Sequence, residues 1–125
     1  MQTIARCGTN DMPRARGFYD PLAALLGAVT AFQSDKVVAY KGSTGGMFMI
    51  GLPFAGEACF GNGSQFGLTA PDTATVDAAY AKALELGGTS EGEPGYRGPE
   101  AQALYACYFR DLDGNKLMVY NSPHM

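Results

Sequence analysis

Apolar and polar residues alternate through TIARCG, residues 3–8, and the alternation stops at TNDMP, residues 9–13. A period of two marks a short strand. The break offers Asn10 or Asp11 as a helix N-cap and puts Pro13 in the first turn, where a missing N–H costs nothing. A period of 3.6 then takes over: Met12, Ala15, Phe18 with Tyr19, Leu22, and Leu25 with Leu26 share one helical face, ended by Gly27. Pro21 predicts a kink within this helix. VTAFQ, KVVAY and GMFMI follow as strands, separated by Ser34-Asp35 and by Gly42 to Gly45.

The second half repeats this order. GSQFGLT reads as a strand, Asp72 as an N-cap, and Val76, Ala79 with Tyr80, Ala83 and Leu86 as a helix face closed by Gly87 and Gly88. Gly27 and Gly87 lie sixty positions apart, each preceded by leucine and by a helix and strand of matching length. Such self-similarity signals an internal duplication. A weak strand is predicted near residues 89–91. EGEPGYRGPEAQ, residues 91–102, reads as a Gly/Pro loop that could close as a lid, with Tyr96 as a stacking surface and Arg97 as a charge. LYACYFR and NKLMVY complete the pattern, joined by the Asp113-Gly114 turn of FRDLDGNKLMVY. The prediction is an α+β fold, βαβββ twice over, in a single domain of residues 1–125. Module one spans about 1–52, a Gly/Pro-rich connector 53–62, and module two 63–125.

A chain of 125 residues is long enough to bury a real core. Its net charge of -3 comes from 12 acidic and 9 basic residues, the latter scattered without a run. That argues against nucleic acid and against an anionic membrane surface as partners. No apolar run approaches the ~18 residues of a spanning helix. Cys7, Cys59 and Cys107 share no metal-type spacing, and no basic segment with an apolar stretch opens the sequence, so a reduced, cytoplasmic protein is expected. The sole histidine is His124. Ser-His-Asp and Cys-His catalysis and multi-histidine metal sites are thereby removed. Cys107, without an activating partner, is expected in the core.

Together with the duplication, the segments GTNDMPRARGFYDPL, GNGSQFGLTAPDTATVDAAYAKALELGG and YFRDLDGNKLMVY resemble the vicinal oxygen chelate superfamily, the glyoxalase, bleomycin-resistance and extradiol dioxygenase group. The resemblance implies two βαβββ modules forming an eight-stranded cup with helices outside, and a divalent metal held by one residue from each of four strands. The four metal positions fall on Ile4, four before the glycine of GTND; on Met49 in MFMIG; on Gln65, two before the glycine of FGLT; and on Met118, four after the glycine of DGN. These offer no donor, two thioethers and one neutral carbonyl. A divalent ion that prefers imidazole and carboxylate is not expected there, nor is any cofactor.

If Ile4 and Met118 face the cup, strand alternation brings Arg6, Met47, Lys116 and Tyr120 to the same face. Candidate ligand-binding residues are therefore Arg6, Met47, Met49, Gln65, Tyr96, Arg97, Met118 and Tyr120. Lys116, beside the turn, is expected to reach solvent, and Arg6 stands open between ligand and solvent. Which of Tyr105 and Tyr108 faces the cup stays open. The soft apolar floor with polar handles suits a small organic molecule with an anionic or carbonyl end. The expected function is metal-free binding of such a molecule by a homodimer. Open strand edges and the apolar connector with Phe54 and Phe60 favour the dimer, as does the resemblance to small members of the group. The alternative is a lyase, isomerase or dioxygenase-like enzyme with a departed, non-metal mechanism.

Overall fold

The computed structural model describes residues 1–99 and 104–122. The chain runs β1 (Ile4–Gly8), α1 (Met12–Leu25), β2 (Val29–Gln33), β3 (Val37–Lys41), β4 (Met47–Gly51), then β5 (Phe66–Thr69), α2 (Thr73–Glu85), β6 (Thr89–Arg97), β7 (Leu104–Arg110) and β8 (Lys116–Asn121). The two βαβββ runs make two four-stranded sheets ordered β1-β4-β3-β2 and β5-β8-β7-β6. In each, the first strand lies parallel beside the last and the other pairings are antiparallel. This is the α+β arrangement expected from the duplication.

Both helices begin and end by the chemistry legible in their sequences. The Asp11 carboxylate accepts from the Arg14 N–H at 3.0 Å, and that of Asp72 from the Thr75 N–H at 2.7 Å. Each thereby satisfies a donor that the first turn leaves without a partner. At the other ends Gly27 and Gly87 adopt φ of 77° and 101°. The next residue returns its N–H to the last turn, Ala28 to Ala23 O at 2.9 Å and Gly88 to Ala83 O at 2.8 Å. A side chain in this left-handed region costs roughly 1–2 kcal/mol. Gly27→Ala should lower the urea midpoint accordingly, and Gly87→Ala should lower it further, because its Cβ would come within 3.2 Å of Leu112 Cδ2. α1 continues through Pro21 to Leu25, so the proline does not divide it.

One core serves both modules. α1 turns Met12, Ala15, Phe18, Tyr19 and Leu22 inward, and α2 turns Val76, Ala79 and Ala83. They meet Val38, Ile50, Phe109, Leu117 and Val119, all fully buried. Each large side chain here contributes about 1.5–3 kcal/mol of transfer free energy. Rings cross the module boundary: Phe18 lies 6.3 Å from Phe109 and Phe48 lies 5.6 Å from Phe66, centroid to centroid. The modules are tied further by Asp111, only 5% exposed. It accepts from Tyr19 Oη at 2.6 Å, from Asn115 Nδ2 at 2.9 Å, and from the N–H groups of Asp113 and Asn115 at 2.9 and 2.8 Å.

The segment expected as a loop from residue 91 is largely strand. β6 extends to Arg97 and pairs Tyr96 with Tyr105 and Arg97 with Leu104. Its Gly and Pro residues concealed it, because they weaken strand propensity. The glycines have a use here: a Cβ on Gly92 would stand 3.0 Å from Tyr108 Cδ2, so the bulged strand takes glycine where the Tyr108 ring crosses it. Residues 100–102 of the proposed lid lie outside the described residues, as does His124.

Candidate functional site

Sheet register decides which side chains share the face turned away from the helices. Across β1 and β4, Ile4 pairs with Met47 and Arg6 with Met49, while the alternate Cys7, Phe48 and Ile50 enter the core. Across β7 and β8, Tyr108 pairs with Met118 and Ala106 with Tyr120, while Cys107, Phe109, Leu117 and Val119 are buried. Arg6, Met47, Met49, Met118 and Tyr120 therefore lie on the face that alternation assigned them. Gln65 sits one residue before β5, and its amide reaches the Met118 thioether at 3.8 Å.

The register also resolves the tyrosines. Tyr108 stands on the inner face beside Met118, whereas Tyr105 turns to the helix side and donates from Oη to Asp77 at 2.7 Å. Tyr96 goes with Tyr105, their rings edge to face at 5.0 Å, so it belongs to the helix side rather than to the cup. Arg97 has the opposite parity. Its guanidinium lies 5.4 Å from the Tyr108 ring centre, and the Lys116 Nζ lies 5.5 Å from the same ring. Lys116 is thus held against an aromatic face and half-buried, where solvent was expected. Such cation–π contacts contribute about 0.5–2 kcal/mol.

The two inner faces differ in character. That of the first sheet is largely apolar, with Ile4 68% and Phe32 47% exposed beside Met47 and Met49, and carries Arg6 and Lys41 as its charged groups. That of the second is cationic and aromatic: Arg97, Lys116, Tyr108 and Tyr120, with Arg110 paired to Glu91 at 2.8 Å. A cavity of about 220 Å³ opens at the seam between β1 and β5, beneath the connector. Arg6 and Lys116 line it, with Cys59, Phe60, Ser64 and Phe66. Tyr108, Phe60 and Cys59 were not singled out from sequence as ligand contacts. Counting back from Met118 through the DLDGN turn would have identified Tyr108, had the turn's register been known.

The four positions that the resemblance assigns to a metal are arranged alike in the two modules. Ile4 stands level with Met47, two residues before Met49; extending the β5–β8 register by one step puts Gln65 level with Lys116, two residues before Met118. Equivalent backbone places thus carry Ile, Met, Gln and Met. No group of three or more His, Cys, Asp or Glu side chains suited to a metal ion occurs among the described residues. This donor set does not fit a divalent ion that takes nitrogen and carboxylate oxygen.

The thiols do not compensate. Burial pushes the Cys7 thiol up to about 12, with the nearby Asp111 charge adding to the effect, and burial raises Cys107 to about 11. Neither is a nucleophile near neutral pH. Cys59 is exposed. Iodoacetamide at pH 8 should therefore alkylate Cys59 in the folded chain, with Cys7 and Cys107 following only on unfolding, as read by peptide mass spectrometry. An unfolded thiol ionises near 9.0, so the unfolded chain releases these protons first as pH rises. Stability should fall from about pH 9 to about pH 12.

A duplicated βαβββ fold, its two four-stranded sheets each turning one face away from the shared core, defines a glyoxalase-like protein. The sequence profile of the Glyoxalase/Bleomycin resistance protein/Dioxygenase superfamily matches residues 4–119, and the chain belongs to that family. It is similar to a glyoxalase/bleomycin resistance protein from Albidiferax ferrireducens T118, with 34% identity, TM-score 0.85, and 94% of this chain and 96% of that one covered. The fold is shared with a glyoxalase-related enzyme from Fulvimarina pelagi, at 15% identity, TM-score 0.71 and coverage of 98% and 88%. It is shared as well with a glyoxalase/bleomycin resistance protein/dioxygenase family enzyme from Burkholderia phytofirmans PsJN, at 13% identity, TM-score 0.70 and coverage of 95% and 96%. No curated protein gives a match.

Proposed function

We propose that this protein binds a small organic molecule on the inner faces of its sheets, without a divalent metal, as a homodimer whose second chain closes the cup. The observation that supports this reading is the donor set: Ile4, Met49, Gln65 and Met118, which the resemblance puts at the family's metal positions, offer no nitrogen or carboxylate ligand on a face rich in polarizable and apolar side chains. Methionine and aromatic surfaces adapt to an apolar body, and a few polar groups fix its orientation.

The dimer is supported by where these faces point. The helix sides of both sheets share one core, so both inner faces turn away from it, and Ile4, Val29 and Phe32 are left 47–68% exposed. Phe54 in the connector is fully exposed as well. A second chain that set its second sheet opposite the first sheet of its partner would cover them and enclose two equivalent cups.

Gently purified protein should run as a dimer in light scattering, release a small molecule seen by mass spectrometry, and contain well under one equivalent of transition metal. A stoichiometric metal would overturn the metal-free reading, and a monomer at micromolar concentration would overturn the closed cup. Turnover of the released molecule would favour an enzyme over a binding protein.

A further inference from the structure

We propose that the cavity beneath the connector is a subsite for an oxyanion, the carboxylate or phosphate of a small organic acid, held between Arg6 and Lys116. The inference rests on the inner faces being a ligand-binding surface and adds the chemistry of the ligand's head. Arg6 comes from β1 and Lys116 from the start of β8, and both line the same space of about 220 Å³. Neither belongs to an ion pair among the described residues, where the pairs are Arg16–Asp20, Lys82–Glu85 and Arg110–Glu91.

The donors are held in place but not consumed. Arg6 donates one N–H to Leu52 O at 2.8 Å, and a guanidinium has four more. Lys116 rests against Tyr108 at 5.5 Å, a contact that positions an ammonium without neutralising it. Two carboxylates act on Cys7, on the cavity's core side, and both accept hydrogen bonds from within the fold. Asp111 accepts from Tyr19, Asn115 and two backbone N–H groups, and Asp113 from the Asn10 N–H at 3.3 Å. Arg97, over the same Tyr108 ring, adds positive charge on this side. Glu91, paired to Arg110 at 2.8 Å, also lies within electrostatic reach of Lys116, but neither Arg6 nor Lys116 makes an ion pair of its own among the described residues. In a chain of net charge -3, two such cations facing one cavity favour an anionic occupant. Phe60 and Phe66 supply an apolar wall for the body of the acid.

The test is calorimetric titration with benzoate, phenyl phosphate and neutral benzamide. At least one acid should bind about tenfold or more tightly than benzamide, with affinity falling as NaCl is raised. Which acid binds better decides between carboxylate and phosphate. Arg6→Gln and Lys116→Gln should each weaken the acid about tenfold or more, whereas Arg6→Lys should stay within about threefold. Benzamide matching both acids, or acid binding unchanged in both glutamine variants, overturns the oxyanion subsite. The wider reading is tested separately with the co-purified molecule and a Met49→Ala, Met118→Ala double variant. Lost affinity there with none lost in the glutamine variants sinks the subsite alone. Absence of both a co-purified molecule and any probe binding sinks both.

Discussion

Asp111→Ala should be among the most damaging single substitutions in this chain, costing about 3–4 kcal/mol. The carboxylate is 5% exposed and accepts four hydrogen bonds, two of them from the side chains of Tyr19 and Asn115. Alanine would leave the buried Tyr19 hydroxyl and the Asn115 amide short of an acceptor, and each such loss costs about 1–3 kcal/mol. It would also release the turn between β7 and β8 from the end of β1, because Asn115 donates to Gly8 O at 2.9 Å from a position Asp111 holds. For a domain of this size the melting temperature should drop by about 10–20 °C. Asp113→Ala, in the same turn, removes one acceptor of an exposed 3.3 Å hydrogen bond and should cost under about 1 kcal/mol. Equal effects in a urea titration would mean that Asp111 does not join the modules.

The second large effect is a gain. Ile4→His, Met49→Glu, Gln65→His and Met118→Glu together should turn a protein indifferent to Ni²⁺ or Zn²⁺ into one that the metal stabilises. At a metal concentration a hundredfold above the dissociation constant, linkage gives about 2.7 kcal/mol. The first two positions lie in one sheet and the last two beside the other, so on the proposed dimer a complete donor set is drawn from two chains. The metal-dependent rise in melting temperature should then grow with protein concentration. Affinity should be modest, because nothing has been built to orient the new imidazoles. Either glutamate alone should destabilise, since Met49 and Met118 are half-buried and a lone carboxylate there loses hydration, less so at position 49, where Arg6 is the cross-strand partner. The same rise in the unsubstituted protein would show that it already holds a metal.

Local order was largely determined by the sequence alone. Asp11, Asp72, Gly27 and Gly87 bound the helices because capping and left-handed backbone are chemistry of a few adjacent residues. The alternation of Lys116, Leu117, Met118, Val119 and Tyr120 fixed which of them enter the core, because a strand has a period of two wherever it lies. The duplication, and with it the fold and family, was legible for the same reason.

Only the tertiary structure decided what depends on partners distant in the chain. β6 is a strand because β7 pairs with it along its length, against the preferences of its own Gly and Pro residues. Tyr96 and Tyr108 took opposite sides through the register of that pairing, and a shift of one residue would exchange them. Lys116 turned to the cup because Tyr108, eight residues earlier, offers its ring there. Arg6 and Lys116 are 110 positions apart and carry no mutual signal in the sequence. They share a cavity because β1 of one module and β8 of the other converge beneath the connector, and such convergence is a property of packing, not of local sequence.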